Sequence, residues 1–96
     1  MRLVDFLTKA RWTKGSMAKD AGHRSMDPNA PEACRWCLAG AIELCYPDIN
    51  ENAEVRHKIC RYLRRLDGSW MRTITHWNDN EATWPAVKKM LAELQV

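Results

Sequence analysis

EACRWCLAGAIELC, residues 32–45, decides how this chain is to be read. The stretch opens on a C-x-x-C pair, Cys34 and Cys37, reaches a third cysteine at Cys45 and is apolar almost throughout. A pair at this spacing holds zinc, exchanges disulfides, or sits in a helix as two small hydrophobes. Upstream, Asn29 followed three residues later by Glu32 matches a capping box, and Pro31 suits a first helical turn. Pro47 ends the run. The pattern predicts a helix over about residues 30–45, with Ala33, Trp36, Leu38, Ala39, Ile42 and Leu44 between the cysteines. Only Glu32, Arg35 and Glu43 carry charge, and a helix apolar all round belongs at the centre of a domain. Gly40 inside it costs about 1 kcal/mol relative to Ala, which a close approach by a neighbouring helix or by the surroundings of Trp36 would explain.

On such a helix Cys34, Cys37, Ala41 and Cys45 fall on one side, like a ligand stripe. At about 1.5 Å rise per residue, however, Cys34 and Cys45 lie roughly 16 Å apart, and Cys37 and Cys45 roughly 12 Å. Zinc–sulfur bonds are about 2.3 Å, so one ion reaches only Cys34 and Cys37. Two outside ligands are then needed, from Cys60, His57, His23 or His76. The zinc alternative is therefore Cys34, Cys37, Cys60 and His57. No second close pair of ligands supports it. Disulfide exchange needs the pair at a helix N-terminus after a strand, and the capping box puts Cys34 more than a turn inside. The favoured expectation is packing, with no metal and no cofactor.

Ninety-six residues imply a single domain, residues 1–96, with room for one modest core. Five Trp could dominate that core, or serve as contact anchors. Leu3–Leu7 is too short for a signal peptide, Asp5 interrupts it, and no apolar run approaches a membrane span. A cytoplasmic protein with reduced thiols is expected, and no membrane partner.

Working outward, Leu3, Phe6, Leu7 and Ala10 follow helical spacing over about three turns. Asp20-Ala21-Gly22 marks a turn, read as a small β-hairpin near residues 15–27. Asp48 and Asn50 are candidate caps for a helix over roughly residues 50–66, with Val55, Ile59, Tyr62, Leu63 and Leu66 as its apolar stripe. SWMRTITHWND, residues 69–79, leans to a short helix, although Thr73, Ile74 and Thr75 favour extended chain. Thr83 caps a last helix from Trp84, with Pro85 in its first turn and Val87, Met90, Leu91 and Leu94 facing inward. The expected fold is mainly α, a compact bundle of four to five helices around the central one.

Charge is uneven along the chain. Residues 54–72 carry six Lys/Arg against two Asp/Glu, while residues 27–53 carry one against five. Lys58, Arg61 and Arg65 follow i, i+3, i+7, with Arg64 beside them and Arg72 beyond. That row can track phosphates, meet a partner protein, or pair with the acidic block. No helix-turn-helix, zinc-finger or RRM signature accompanies it. His76 with Cys37 or Cys60 has the residue types of a nucleophile pair, but nothing in the sequence joins them. Asn78 and Asp79 read as turn residues bonding nearby backbone.

Trp12 with Gly15, Asp20-Ala21-Gly22, Arg35-Trp36-Cys37-Leu38-Ala39-Gly40-Ala41, Trp77-Asn78-Asp79, and Thr83 with Val87 occur in that order. Together they resemble a family of small domains of unknown function found in phage and bacterial genomes, especially of actinobacteria. The resemblance implies a compact, mainly helical domain with no established enzymatic activity, and its phage association suggests an accessory protein that binds and modulates a host protein, such as a defence component; no enzyme is expected. The binding residues expected on this view are Lys58, Arg61, Arg64, Arg65, Trp70 and Arg72. A nucleic-acid-binding protein using the same basic helix is the alternative from another class, and oligomeric state is left open.

Overall fold

The computed structural model describes residues 1–67 and 73–96. In chain order it contains α1 (Leu3–Phe6), β1 (Ala18–Lys19), β2 (Ser25–Met26), β3 (Arg35–Trp36), α2 (Leu38–Cys45), α3 (Ile49–Asp67), α4 (Ile74–Asn80) and α5 (Trp84–Leu94). The fold is mainly α with one small sheet, as expected.

The stretch 32–45 nevertheless splits in two, and the helix expected from Ala30 begins at Leu38. The prolines explain the difference. Ala30 N–H donates to Asp27 O (3.0 Å) and Ala33 N–H to Ala30 O (3.0 Å), which makes two successive turns with proline second in each. Asp27, rather than Asn29, supplies the local side-chain acceptor, taking the Asn29 N–H at 2.8 Å. The Asn29–Glu32 capping box is therefore not formed. Cys34 N–H donates to Lys19 O (2.9 Å), and β3 pairs antiparallel with β1, Ala18 opposite Trp36. Cys37 is the true N-cap of α2, its Sγ accepting from Gly40 N–H at 3.3 Å.

The expected β-hairpin near residues 15–27 is β1 paired with β2, but the sheet order is β2-β1-β3. The third strand comes from the segment read as helix. In the hairpin turn the left-handed residue is His23 (φ 65°), while Asp20 Oδ1 accepts from Gly22 and Arg24 N–H, both at 2.9 Å. Helix α1 is also shorter than its periodicity predicts. Leu7 is extended (φ −78°, ψ 130°), and Thr8 starts a separate turn whose O accepts from Arg11 and Trp12 N–H, both at 3.0 Å. Chain beyond that turn is recruited by β3: Trp36 N–H donates to Arg11 O (2.6 Å) and Thr13 N–H to Trp36 O (3.0 Å). Non-local pairing thus overrides helical propensity on both sides of the sheet.

The remaining helices follow their sequence signals. Asp48 Oδ2 accepts from Glu51 N–H (3.0 Å) at the start of α3. Thr73 and Thr83 cap α4 and α5, accepting from His76 N–H (3.0 Å) and Ala86 N–H (3.4 Å). The ambiguous stretch 69–79 is helical from Ile74; residues 68–72 lie outside the described residues. Helix α2 is central, with Leu38, Ala41 and Ile42 wholly buried and packed among α1, α3 and α4. Leu3, Ile59, Leu63, Val87, Met90 and Leu91 complete the core around it.

Gly40 is where α2 meets the sheet. A Cβ there would stand 1.9 Å from the Met17 carbonyl oxygen, so the close approach expected at this glycine comes neither from a helix nor from around Trp36 but from loop backbone beside β1. That same oxygen accepts from Cys37 N–H at 3.2 Å.

Candidate functional site

The C-x-x-C pair stands where β3 runs into α2, the strand-to-helix placement that the misread capping box excluded. Its buried member is not an activated thiol. Cys37 is buried, and burial pushes its thiol above the ordinary value of 9.0 more strongly than the Gly40 and Ala39 N–H groups pull it down. Cys45 is raised as well, by burial. A nucleophile or redox thiol needs the opposite shift. Cys34 is exposed, Cys60 half-buried on α3 and His57 exposed on α3. Among the described residues no three His, Cys, Asp or Glu side chains gather as a metal ion would require, so the zinc set Cys34, Cys37, Cys60 and His57 is not brought together.

Among the described residues four side-chain hydrogen bonds converge on Asn78, which sequence reasoning took for a turn residue. It sits within α4 and is fully buried. Its Oδ1 accepts from Trp12 Nε1–H (2.7 Å) and Leu38 N–H (3.2 Å). Its Nδ2 donates to Thr13 O (3.0 Å) and Asp79 Oδ1 (2.9 Å). Asp79 in turn accepts from Gly15 N–H at 2.9 Å. One amide thereby ties the N-terminal segment, the start of α2 and α4 together. A fully bonded buried amide holds geometry and has no free atom for substrate. The signal was available: Ile74, Trp77 and Asn78 fall at i, i+3, i+4, which puts Asn78 on the buried stripe.

The basic residues of α3 divide into two groups. Arg56 faces inward along the molecule, bonding Glu43 Oε1 (2.7 Å) and Asn52 Oδ1 (2.7 Å). This is the pairing with the acidic block. Lys58, Arg61, Arg64 and Arg65 are exposed on the outer face. Lys58 pairs with Glu54 one turn back at 3.6 Å. Lys58, Arg61 and Arg65 line a shallow cleft of about 140 Å³ with Tyr62 and Leu94. Burial and the hydrogen bond to Glu93 raise the Tyr62 phenol above its ordinary value, so it is neutral in this cleft at pH 7. Leu66, expected on the buried stripe, is instead 59% exposed beside these cations. The geometry suits an anionic surface with some apolar character. Trp70 and Arg72, the other two expected contact residues, lie outside the described residues.

Among the described residues no helix is long and apolar enough to cross a membrane. Neither a curated protein nor a solved structure matches the chain. Residues 2–94 match the family described as "Family of unknown function (DUF6197)", and the chain belongs to that family.

Proposed function

We propose that this is a small non-enzymatic accessory protein, phage-encoded, that works by docking the outer face of α3 on a host protein and modulating it. One observation carries this reading. Arg61 and Arg65 form no ion pair with the described residues, and with Lys58 they surround a cleft whose other walls are Tyr62 and Leu94. Exposed Leu66 adjoins them. Arginine and tyrosine grouped with an exposed leucine match the composition of protein contact surfaces. The resemblance to phage-borne domains supports the choice of a host protein as partner.

The same row of cations at Lys58, Arg61 and Arg65 favours nucleic acid as the second reading. Capture of host protein by the immobilised chain distinguishes the two. Retention that survives nuclease and is lost in the Arg61→Glu, Arg64→Glu, Arg65→Glu variant supports protein docking. Retention that disappears with nuclease, or a steep fall of oligonucleotide affinity with salt, assigns the face to phosphate instead.

A further inference from the structure

A second surface lies away from the basic face, in the groove of about 360 Å³ between α1 and α5. Its floor is Leu7 and Leu91, both buried; Trp84 and Ala92 form one wall. Lys9 and Lys88 stand on the rim, exposed, and neither ammonium makes an ion pair or hydrogen bond among the described residues. Trp84, Lys88, Leu91 and Ala92 are spaced i, i+4, i+7, i+8, so a whole face of α5 opens into the groove. The indole N–H of Trp84 has no hydrogen-bond partner among the described residues, whereas those of Trp12 and Trp36 are bonded to Asn78 and Pro28. Beyond Trp84 the wall continues to Trp12, 6.2 Å between ring centroids, with the Lys14 ammonium 5.5 Å from the Trp12 ring.

We propose that this groove docks an acidic amphipathic segment of a partner protein, its apolar side chains seated over Leu7 and Leu91 and its carboxylates against Lys9 and Lys88. The charge complementarity is specific. Among the described residues the two lysines that line the groove, Lys9 and Lys88, have no carboxylate partner, whereas Lys89 next along α5 pairs with Glu93 at 4.0 Å, and the floor between the two rim cations is apolar. Of the lining residues, Thr8, Lys9, Lys88 and Ala92 are exposed, so a small molecule in the groove would keep one side in water. A segment tethered to its own protein needs to bury only its anchoring side chains, as in helix-in-groove recognition. The chain itself carries matching chemistry at Ile49, 80% exposed between Asp48 and Glu51. A second copy docked that way would make a head-to-tail contact and build rings or open chains, which a concentration-dependent mass would reveal.

The test uses a fluorescein-labelled helical peptide of about three turns, with Leu at i, i+4 and i+7 and Glu between, and a twin with Lys for Glu. Anisotropy at low salt measures affinity, and amide and indole chemical shifts locate it. The acidic peptide is expected to bind and to shift the Trp84 indole and Ala92 amide signals, and the twin is not. Lys9→Glu with Lys88→Glu is expected to weaken the acidic peptide about tenfold or more and to admit the twin. The triple reversal of Arg61, Arg64 and Arg65 is expected to leave the affinity within about twofold, which keeps this proposal separate from docking on α3. No binding up to about 1 mM, equal binding of both peptides, or indifference to the Lys9 and Lys88 reversal overturns it. So does dodecanoate shifting the same signals while the peptide does not, or a concentration-dependent mass abolished by Ile49→Lys.

Discussion

Gly40 shows what a single methyl group can decide. Its Cβ would stand 1.9 Å from backbone oxygen at Met17, and that oxygen also holds Cys37 N–H. Gly40→Ala should therefore cost about 2–3 kcal/mol through overpacking, despite the better helix propensity of alanine. Gly22→Ala is the control, because its Cβ would meet only Asp20 Oδ1 at 3.4 Å and its cost should be small. Urea unfolding of both variants checks this, and equal midpoints would contradict it. The need for a close neighbour at Gly40 was legible from its place in an apolar helix; the identity of that neighbour was not, since Met17 is distant in sequence. Asn78 was misread for a related reason. Its flanking residues resemble a turn, and its four hydrogen bonds reach Trp12, Thr13 and Leu38 as well as the adjacent Asp79.

Helices whose ends are set by local chemistry are the ones the sequence located well. Helix α5 has its threonine cap, its proline in the first turn and a buried stripe of Val87, Met90 and Leu91. Thr83→Ala removes the acceptor for Ala86 N–H and should cost about 1 kcal/mol, while Thr83→Ser should cost a few tenths. Thermal melts of the two variants should rank in that order. Helix α3 was likewise legible from caps and periodicity, apart from exposed Leu66. Helices α1 and α2 were drawn too long because strand pairing claims their neighbours. Residues 34–36 are held by β1, and Arg11 and Thr13 are held by Trp36. A two-residue strand leaves no periodicity to read, so the third strand could be found only from its partners. The candidate basic face was visible as a charge row; that Arg56 turns from it to Glu43 follows from packing against α2.

Across the whole molecule, burial keeps acidic protons in place. The thiols of Cys37 and Cys45 lie above their ordinary 9.0 and the phenol of Tyr46 above its ordinary 10.0, in each case chiefly through burial. The folded chain thus binds these protons more tightly than the unfolded chain does. Their contribution is fully present below about pH 9 and is lost as pH rises through the raised values. The urea midpoint should hold steady from about pH 7 to 8.5 and fall above about pH 9. A midpoint that stays flat to about pH 10.5 would exclude this account. Tyr46 also links the two ends of the fold: its hydroxyl accepts from Leu3 N–H (3.3 Å) and donates to Val96 O, while Leu3 N–H donates directly to Val96 O at 2.6 Å. Leu3 is wholly buried, and α1 packs on α2 and α5. In a chain made from its N-terminal side, Leu3 is made long before Val96. Once Tyr46 has followed, α1 can already seat on α2, but the carbonyl that takes the Leu3 N–H arrives only with Val96, so the first helix of the fold is among the last to be locked.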